Sequence, residues 1–248
     1  MNANPRPVTT PWGYTVGGDP ALRQTSQALA RTIESASNLG VVVGSKTGQL
    51  MRRIREMSAK TTGVGGRILL GEGTYFVRSG ATISVPGIEL VGLGERTIFR
   101  RIVDDGQAML TLAGAGIKLT GITFEDTTAT RPVILATGTY CEVHRCTFTS
   151  CDSPVTLAGA WQQVSECLVK VSRNASWSIH LVAATDCSVQ CNRIDGAPVG
   201  ADEIYGDDTS ARCSFVGNVT GNPGSVNYKG AGLGSVDAGN TGTVTIRP

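Results

Sequence analysis

The stretch "GAGIKLTGITF", residues 114–124, decides the fold, because its apolar residues alternate twice with a slip between the two halves. Ile117, Leu119, Ile122 and Phe124 follow the pattern Φ-x-Φ-x-x-Φ-x-Φ. The spacing returns in Cys141/Val143/Cys146/Phe148, Gln162/Val164/Cys167/Val169, Cys187/Val189/Asn192/Ile194 and Cys213/Phe215/Asn218/Thr220, at periods of 21 to 26 residues. Self-similarity at this period marks a solenoid. Within each half, alternation sends the apolar side chains to one side of a strand. The extra residue turns a corner while both apolar residues beside it stay inside.

A second short element precedes each copy, in "MLTLAGAG", "VILATGTY", "VTLAGAW" and "IHLVAAT". These align Leu110/Leu112, Val133/Leu135, Val155/Leu157 and Ile179/Leu181 as inward pairs. Small residues at the corners supply the turns, and successive coils stack as parallel strands about 4.8 Å apart. The expected fold is all-β, a right-handed single-stranded parallel β-helix. Stacking puts Asn192 over Asn218, which predicts an asparagine ladder whose amides bond from coil to coil.

Composition agrees with this fold. The 248 residues include 32 glycines and only 5% aromatics, which suits an all-β repeat better than an α/β enzyme. Nothing approaches 18 consecutive apolar residues, so no membrane helix is expected. "MNANPRPVTTPWGY" lacks the apolar segment of a signal peptide, and synthesis in a cytoplasm is expected. The net charge of +2 is uneven, with eight Lys/Arg against three Asp/Glu in residues 1–66. The densest part, "MRRIREMSAK" at 51–60, reads as a solvated basic helix face, ahead of docking onto an acidic protein surface, with nucleic-acid binding the least favoured reading.

Three regions follow. Residues 1–45 read as an arm and helix. Pro5, Pro7 and Pro11 exclude regular structure at its start, and Asp19 caps a helix with Pro20 in its first position. Leu22, Leu29 and Ile33 form that helix's apolar stripe. Residues 46–63 read as a second helix, with Leu50, Ile54 and Met57 on one face, capping the first coil of a β-helix over 64–248.

All seven cysteines fall between Cys141 and Cys213. In inward columns a thiol acts as a small hydrophobe. Zinc at Cys141, His144, Cys146 and Cys151 is the sharper alternative. No C-x-x-C pair exists, however, and the slip aims Cys141 and Cys146 inward while His144 sits at the corner. No metal or cofactor site is assigned. Cys146 and Cys167 are coil neighbours for which a disulfide is conceivable, although an odd count favours free thiols.

The outward positions read Thr111/Ile134/Thr156/His180, then Lys118/Glu142/Gln163/Ser188/Ser214, then Thr123/Thr147/Leu168/Arg193/Val219. The single acid among them, Glu142, pairs with Lys118 across coils. Other acids collect at corners: Asp104/Asp105, Glu125/Asp126, Asp152, Asp195 and Glu203/Asp207/Asp208. Glu125 and Asp195 fall three coils apart, roughly 14 Å by strand spacing, beyond the roughly 5–9.5 Å that separates glycosidase carboxylates. Asp105 with Glu125 or Asp126 is the pair to choose if the chain is an enzyme. His180 faces out alone, and no catalytic residue is assigned. Trp161 and Trp177 flank corners, as glycan platforms or as packing. "NAS" at Asn174 and "NVT" at Asn218 match glycosylation sequons and are discounted.

The helix followed by "GGRILLGEGTYFV" and then "GIELVGLGERTIFRR" resembles the opening of pectate-lyase-like β-helix proteins, over roughly residues 47–220. That superfamily holds polysaccharide lyases and hydrolases together with bacteriophage tailspike and virion proteins, which are typically homotrimers. The resemblance fixes fold rather than chemistry. It leads to the expectation of a non-enzymatic virion protein, a homotrimeric tail spike or fibre component or a capsid decoration protein. The N-terminal arm would fasten it to other virion proteins, with Trp12 and Tyr14 as anchors. A polysaccharide lyase or hydrolase (a depolymerase), or a module binding host surface glycan, is the alternative.

Overall fold

A computed structural model describes residues 65–126, 131–170, 177–195 and 202–220, with shorter pieces at 8–9, 15–16, 39–42, 50, 52, 225–228, 236–241 and 243–246. The chain divides into two compact units, Met1–Leu39 and Gly40–Pro248. In the first, Val8–Thr9 pairs antiparallel with Thr15–Val16. This corrects the expectation that the prolines exclude regular structure. In the sequence Pro7 precedes the strand Val8–Thr9 and Pro11 comes after it, so neither proline falls inside a strand. Trp12, Tyr14 and the helix after Asp19 lie outside the described residues. So does most of the second expected helix with its basic stretch; Leu50 and Arg52 are helical, and Leu50 joins the core of the second unit.

The second unit is a parallel β-helix with three strands per coil. The first face is an eight-stranded sheet: Ala81–Ile83, Leu110–Leu112, Ile134–Ala136, Val155–Leu157, Ile179–Leu181, Asp202–Gly206, Ser225–Tyr228 and Thr243–Ile246. The second face stacks Arg67–Leu70, the first halves of Glu89–Arg101 and Lys118–Glu125, then Glu142–His144, Gln163–Ser165, Ser188–Gln190, Ser214–Val216 and Val236–Ala238. The third stacks Gly73–Val77, the second halves of the same two long strands, Thr147–Thr149, Leu168–Lys170, Arg193–Asp195 and Val219–Thr220.

The slip is a corner between the second and third faces. Its extra residue adopts a left-handed conformation in coil after coil: Gly121, Arg145, Glu166, Cys191 and Gly217, at φ between 50° and 64°. The four inward columns stand in the expected register. Leu119, Val143, Val164, Val189 and Phe215 pair in sequence one coil apart, and all are buried. The outermost column extends back to Tyr75 and Phe99, so that Tyr75, Phe99, Phe124 and Phe148 form a buried aromatic ladder with centroids 5.2–5.5 Å apart. Each fully buried ring contributes on the order of 1.5–3 kcal/mol over its exposed state.

The asparagine ladder is present and gains a third rung. Asn192 Nδ2 donates to Asn218 Oδ1 at 2.9 Å, and Asn218 Nδ2 donates to Asn240 Oδ1 at 2.9 Å. The oxygens of Asn192, Asn218 and Asn240 also accept the backbone N–H of Cys167, Asn192 and Asn218, which follow the left-handed corner residue. Asn218, the second sequon asparagine, is thus a buried structural residue.

On the first face the register differs by one residue at a single strand. Ile134 and Ala136, not Val133 and Leu135, align with Leu110/Leu112 and Val155/Leu157. Ile134 is therefore inward and Leu135 outward, with Val133 buried at the corner before them. Gly114, Gly138 and Gly159 each follow the second inward residue by two. A Cβ on Gly138 would collide with the Gly114 carbonyl oxygen, and one on Gly114 would stand 2.7 Å from the Ser84 oxygen. Close backbone approach at these glycines, more than the apolar run, sets the phase.

Candidate functional site

The carboxylates singled out in the sequence sit at the junction of the third face and the loop before the first. Asp126 is fully buried and accepts from Arg101 Nε at 2.8 Å. The same guanidinium donates to Ser79 Oγ at 2.8 Å, to the Gln107 carbonyl at 2.7 Å and to the Pro132 carbonyl at 3.1 Å. Arg101 thereby ties four segments of the corner together. Glu125 is outward and accepts from Arg100 Nε at 2.8 Å, one coil below. Asp105 accepts the Gln107 N–H at 3.3 Å, closing a turn. Glu125 and Asp195 stand three coils apart on the third face, as expected.

The outer surface of the second face carries an alternating charge ladder. Arg67 pairs with Glu89 at 2.7 Å and Lys118 with Glu142 at 2.8 Å, followed by Gln163, Ser188 and Ser214. Glu142 raises the Lys118 pKa by hydrogen bond and charge. Arg67 and Glu89 lay outside the repeats recognised in the sequence, although their position before Ile68 and Leu90 was a usable signal. Along the third face, Lys170 Nζ reaches Glu95 Oε1 at 2.9 Å.

His180 is outward but not alone, which corrects the sequence reading. Its ring stacks on Trp177 at a centroid distance of 4.3 Å and lies 5.3 Å from Tyr205, while Trp177 stacks on Tyr205 at 5.2 Å. Tyr205 follows His180 by one coil on the first face, but its strand escaped the repeat pattern. Burial holds the His180 pKa below 6.5, opposed by the Asp207 charge. Burial also pushes the Asp207 carboxyl up. The hydroxyls of Thr209 and Ser210, with the amides of Ala183 and Thr209, outweigh it and leave the group below its ordinary range.

Trp161 stacks on Tyr140 with centroids 6.1 Å apart and planes 14° apart; both are more than half exposed. Both are left-handed corner residues, at φ 59° and 57°, between the first and second faces.

The four candidate zinc residues are not gathered. Cys141, Cys146 and Cys151 are buried in separate positions, whereas His144 is outward, with Nδ1 3.0 Å from Ser165 Oγ. All seven cysteines are free thiols and only Cys191 is exposed. Burial, then the neighbouring Cys146 thiol, raises the Cys167 pKa. Among the described residues no helix is long and apolar enough to cross a membrane.

The sequence matches no protein-family model and no curated protein. Solved structures share its fold. A candidate glycosyl hydrolase from Parabacteroides merdae is similar with a TM-score of 0.58 at 10% identity, over 72% of this chain and 91% of that one. The ORF18 protein of Geobacillus virus E2 is similar with a TM-score of 0.51 at 12% identity, over 94% of this chain and 64% of the viral one. At such identities the likeness is one of fold.

Proposed function

We propose that the chain is a non-enzymatic structural component of a bacteriophage particle, a homotrimeric tail spike or fibre component or a capsid decoration protein of the pectate-lyase-like β-helix type. The observation that carries this reading is how the outer carboxylates are used. Glu89, Glu125 and Glu142 each face a cation one coil away, and Asp126 is sealed against Arg101. Such pairs knit coils together; a general acid or nucleophile has to reach substrate instead. The fold shared with a viral protein agrees with this reading.

The first face suggests how subunits meet. Its outward column from Thr82 through Thr111, Leu135, Thr156 and His180 to Tyr205 carries no Lys, Arg, Asp or Glu. An uncharged strip suits repeated packing under closed symmetry. Fixing residues 1–45 against a particle costs up to about 1–2 kcal/mol per residue of backbone entropy. A partner surface gripping Trp12 and Tyr14 offsets that cost and fastens the trimer to the particle.

The test is deletion of residues 2–18, followed by light scattering and assembly. The expected outcome is a folded trimer that no longer enters particles of the phage encoding it. Normal incorporation, or a monomeric full-length protein, overturns the proposal. Release of sugar from bacterial polysaccharides, abolished by Asp105→Ala or Glu125→Ala, would establish a depolymerase instead.

A further inference from the structure

The corner between the first and second faces repeats one left-handed residue per coil: Gly87, Gly116, Tyr140, Trp161, Asp186 and Arg212, at φ between 53° and 68°. Its upper part is filled. Arg212 grips Asp186 through two bonds of 2.7 and 2.6 Å, and Trp161 lies on Tyr140. Among the described residues no side chain stands at its lower positions, Gly87 and Gly116. The heavy atoms within 4 Å of a Cβ built on Gly116 are the Gly87 Cα and N, at 3.9 Å; for Gly87 they are backbone atoms of Gly65 at 3.5 and 3.8 Å. Tyr140, 60% exposed, therefore turns one ring face to Trp161 and the other to a gap two coils high, about 9–10 Å at parallel-strand spacing.

The border of that gap is polar. Two residues after Gly87, Gly116 and Tyr140 come Glu89, Lys118 and Glu142, outward on the second face. With Arg67 they form the two ion pairs of the charge ladder, so the border is balanced in charge.

We propose that the gap binds a pyranose ring of a neutral saccharide, laid on Tyr140 at the level of Gly116 with its hydroxyls toward Glu142, Lys118 and Glu89. This goes beyond the structural role proposed above and does not depend on it. One face of a pyranose presents C–H groups, which the electron-rich face of an aromatic ring attracts. At carbon–carbon contacts of about 3.5–4.0 Å the sugar occupies the place that a side chain at 116 would take. Its rim of hydroxyls both donates and accepts, matching carboxylates and an ammonium in one border. A purely apolar occupant would desolvate those charges without replacing their hydrogen bonds. A polyanion would gain no net attraction from a border whose charges are already paired.

Saturation-transfer NMR on the full chain tests this, with maltohexaose and cellohexaose as neutral probes and oligogalacturonate as an anionic one. Transfer to the ring C–H protons of at least one neutral probe is expected, and loss of at least tenfold in that signal for Tyr140→Ala. Gly116→Tyr is expected to abolish it as well, because a third ring at the same left-handed position continues the stack and fills the gap while every existing contact remains. No transfer to either neutral probe overturns the proposal, as does transfer to oligogalacturonate alone. Binding that survives Gly116→Tyr, whatever Tyr140→Ala does, places the sugar elsewhere and overturns it too.

Discussion

Arg101 and Asp126 meet at 2.8 Å with neither side chain exposed to solvent. A pair so placed is held by geometry and by its extra hydrogen bonds, since desolvation offsets much of the Coulomb attraction. Asp126→Ala should therefore lower stability by about 3–5 kcal/mol, because it leaves a buried guanidinium with only Asp104, 3.9 Å away, as counter-charge. The double variant Arg101→Met/Asp126→Leu should recover much of that loss. Urea denaturation of the single and double variants decides the matter; equal losses in both would show that the pair stabilises by more than mutual neutralisation.

The asparagine ladder should behave as one unit. Asn218 Oδ1 accepts both the backbone and the side-chain N–H of Asn192, while its own amide donates to the Val189 and Asn240 oxygens. Asn218→Ala leaves several of these groups buried and unpaired, at roughly 1–3 kcal/mol for each one left unsatisfied. Thermal unfolding should show a loss of at least ~2 kcal/mol, and Asn192→Ala added to it should cost less than it does alone. Strictly additive losses would refute a coupled ladder.

Gly138→Ala should destabilise the chain by at least ~2 kcal/mol, since its new methyl meets a backbone oxygen that cannot turn aside. Arg145→Gly, at φ 50°, is expected to be neutral or to stabilise by up to about 1 kcal/mol. It relieves a left-handed residue and gives up only an exposed pair with Glu166. The denaturant midpoint should fall for Gly138→Ala and hold level or rise for Arg145→Gly.

His180 should make stability depend on pH. Burial lowers its pKa in the folded chain relative to 6.5, so protonation favours the unfolded state. Its contribution is complete above about pH 6.5 and is lost as pH falls through the lowered folded value. The urea midpoint should drop between pH 7.5 and 5.0, and His180→Phe, which keeps a ring against both Trp177 and Tyr205, should flatten that drop. An identical decline in the variant would show that other groups carry it.

Where the amino acids repeat, they predict the fold closely, and where they do not, physical causes are visible. Leu119, Val143, Val164, Val189 and Phe215 stack as expected because two alternations joined by one extra residue admit a single inward phase. "VILATG" does not, since three apolar residues in a row satisfy either phase; the glycine two places on was the deciding signal. Corner acids were visible as a cluster, but Arg101 was not visible as their buried hub, because an arginine at a strand end reads as solvated. The Tyr140–Trp161 stack was hidden for a related reason. Aromatic residues rarely adopt positive φ, so the sequence favoured glycine-like corners and gave no hint that two rings share one.

The left-handed corner positions make the outer edge of this solenoid a ruler with one graduation per coil. What stands at each mark can be exchanged without disturbing its neighbours' backbone, because glycine, tyrosine, tryptophan, aspartate and arginine already hold the same conformation there. A lineage of such chains can therefore rewrite its edge one character at a time, changing what it touches while the wall behind stays constant. The same property offers the engineer a scaffold on which spacing is given and only the lettering needs to be chosen.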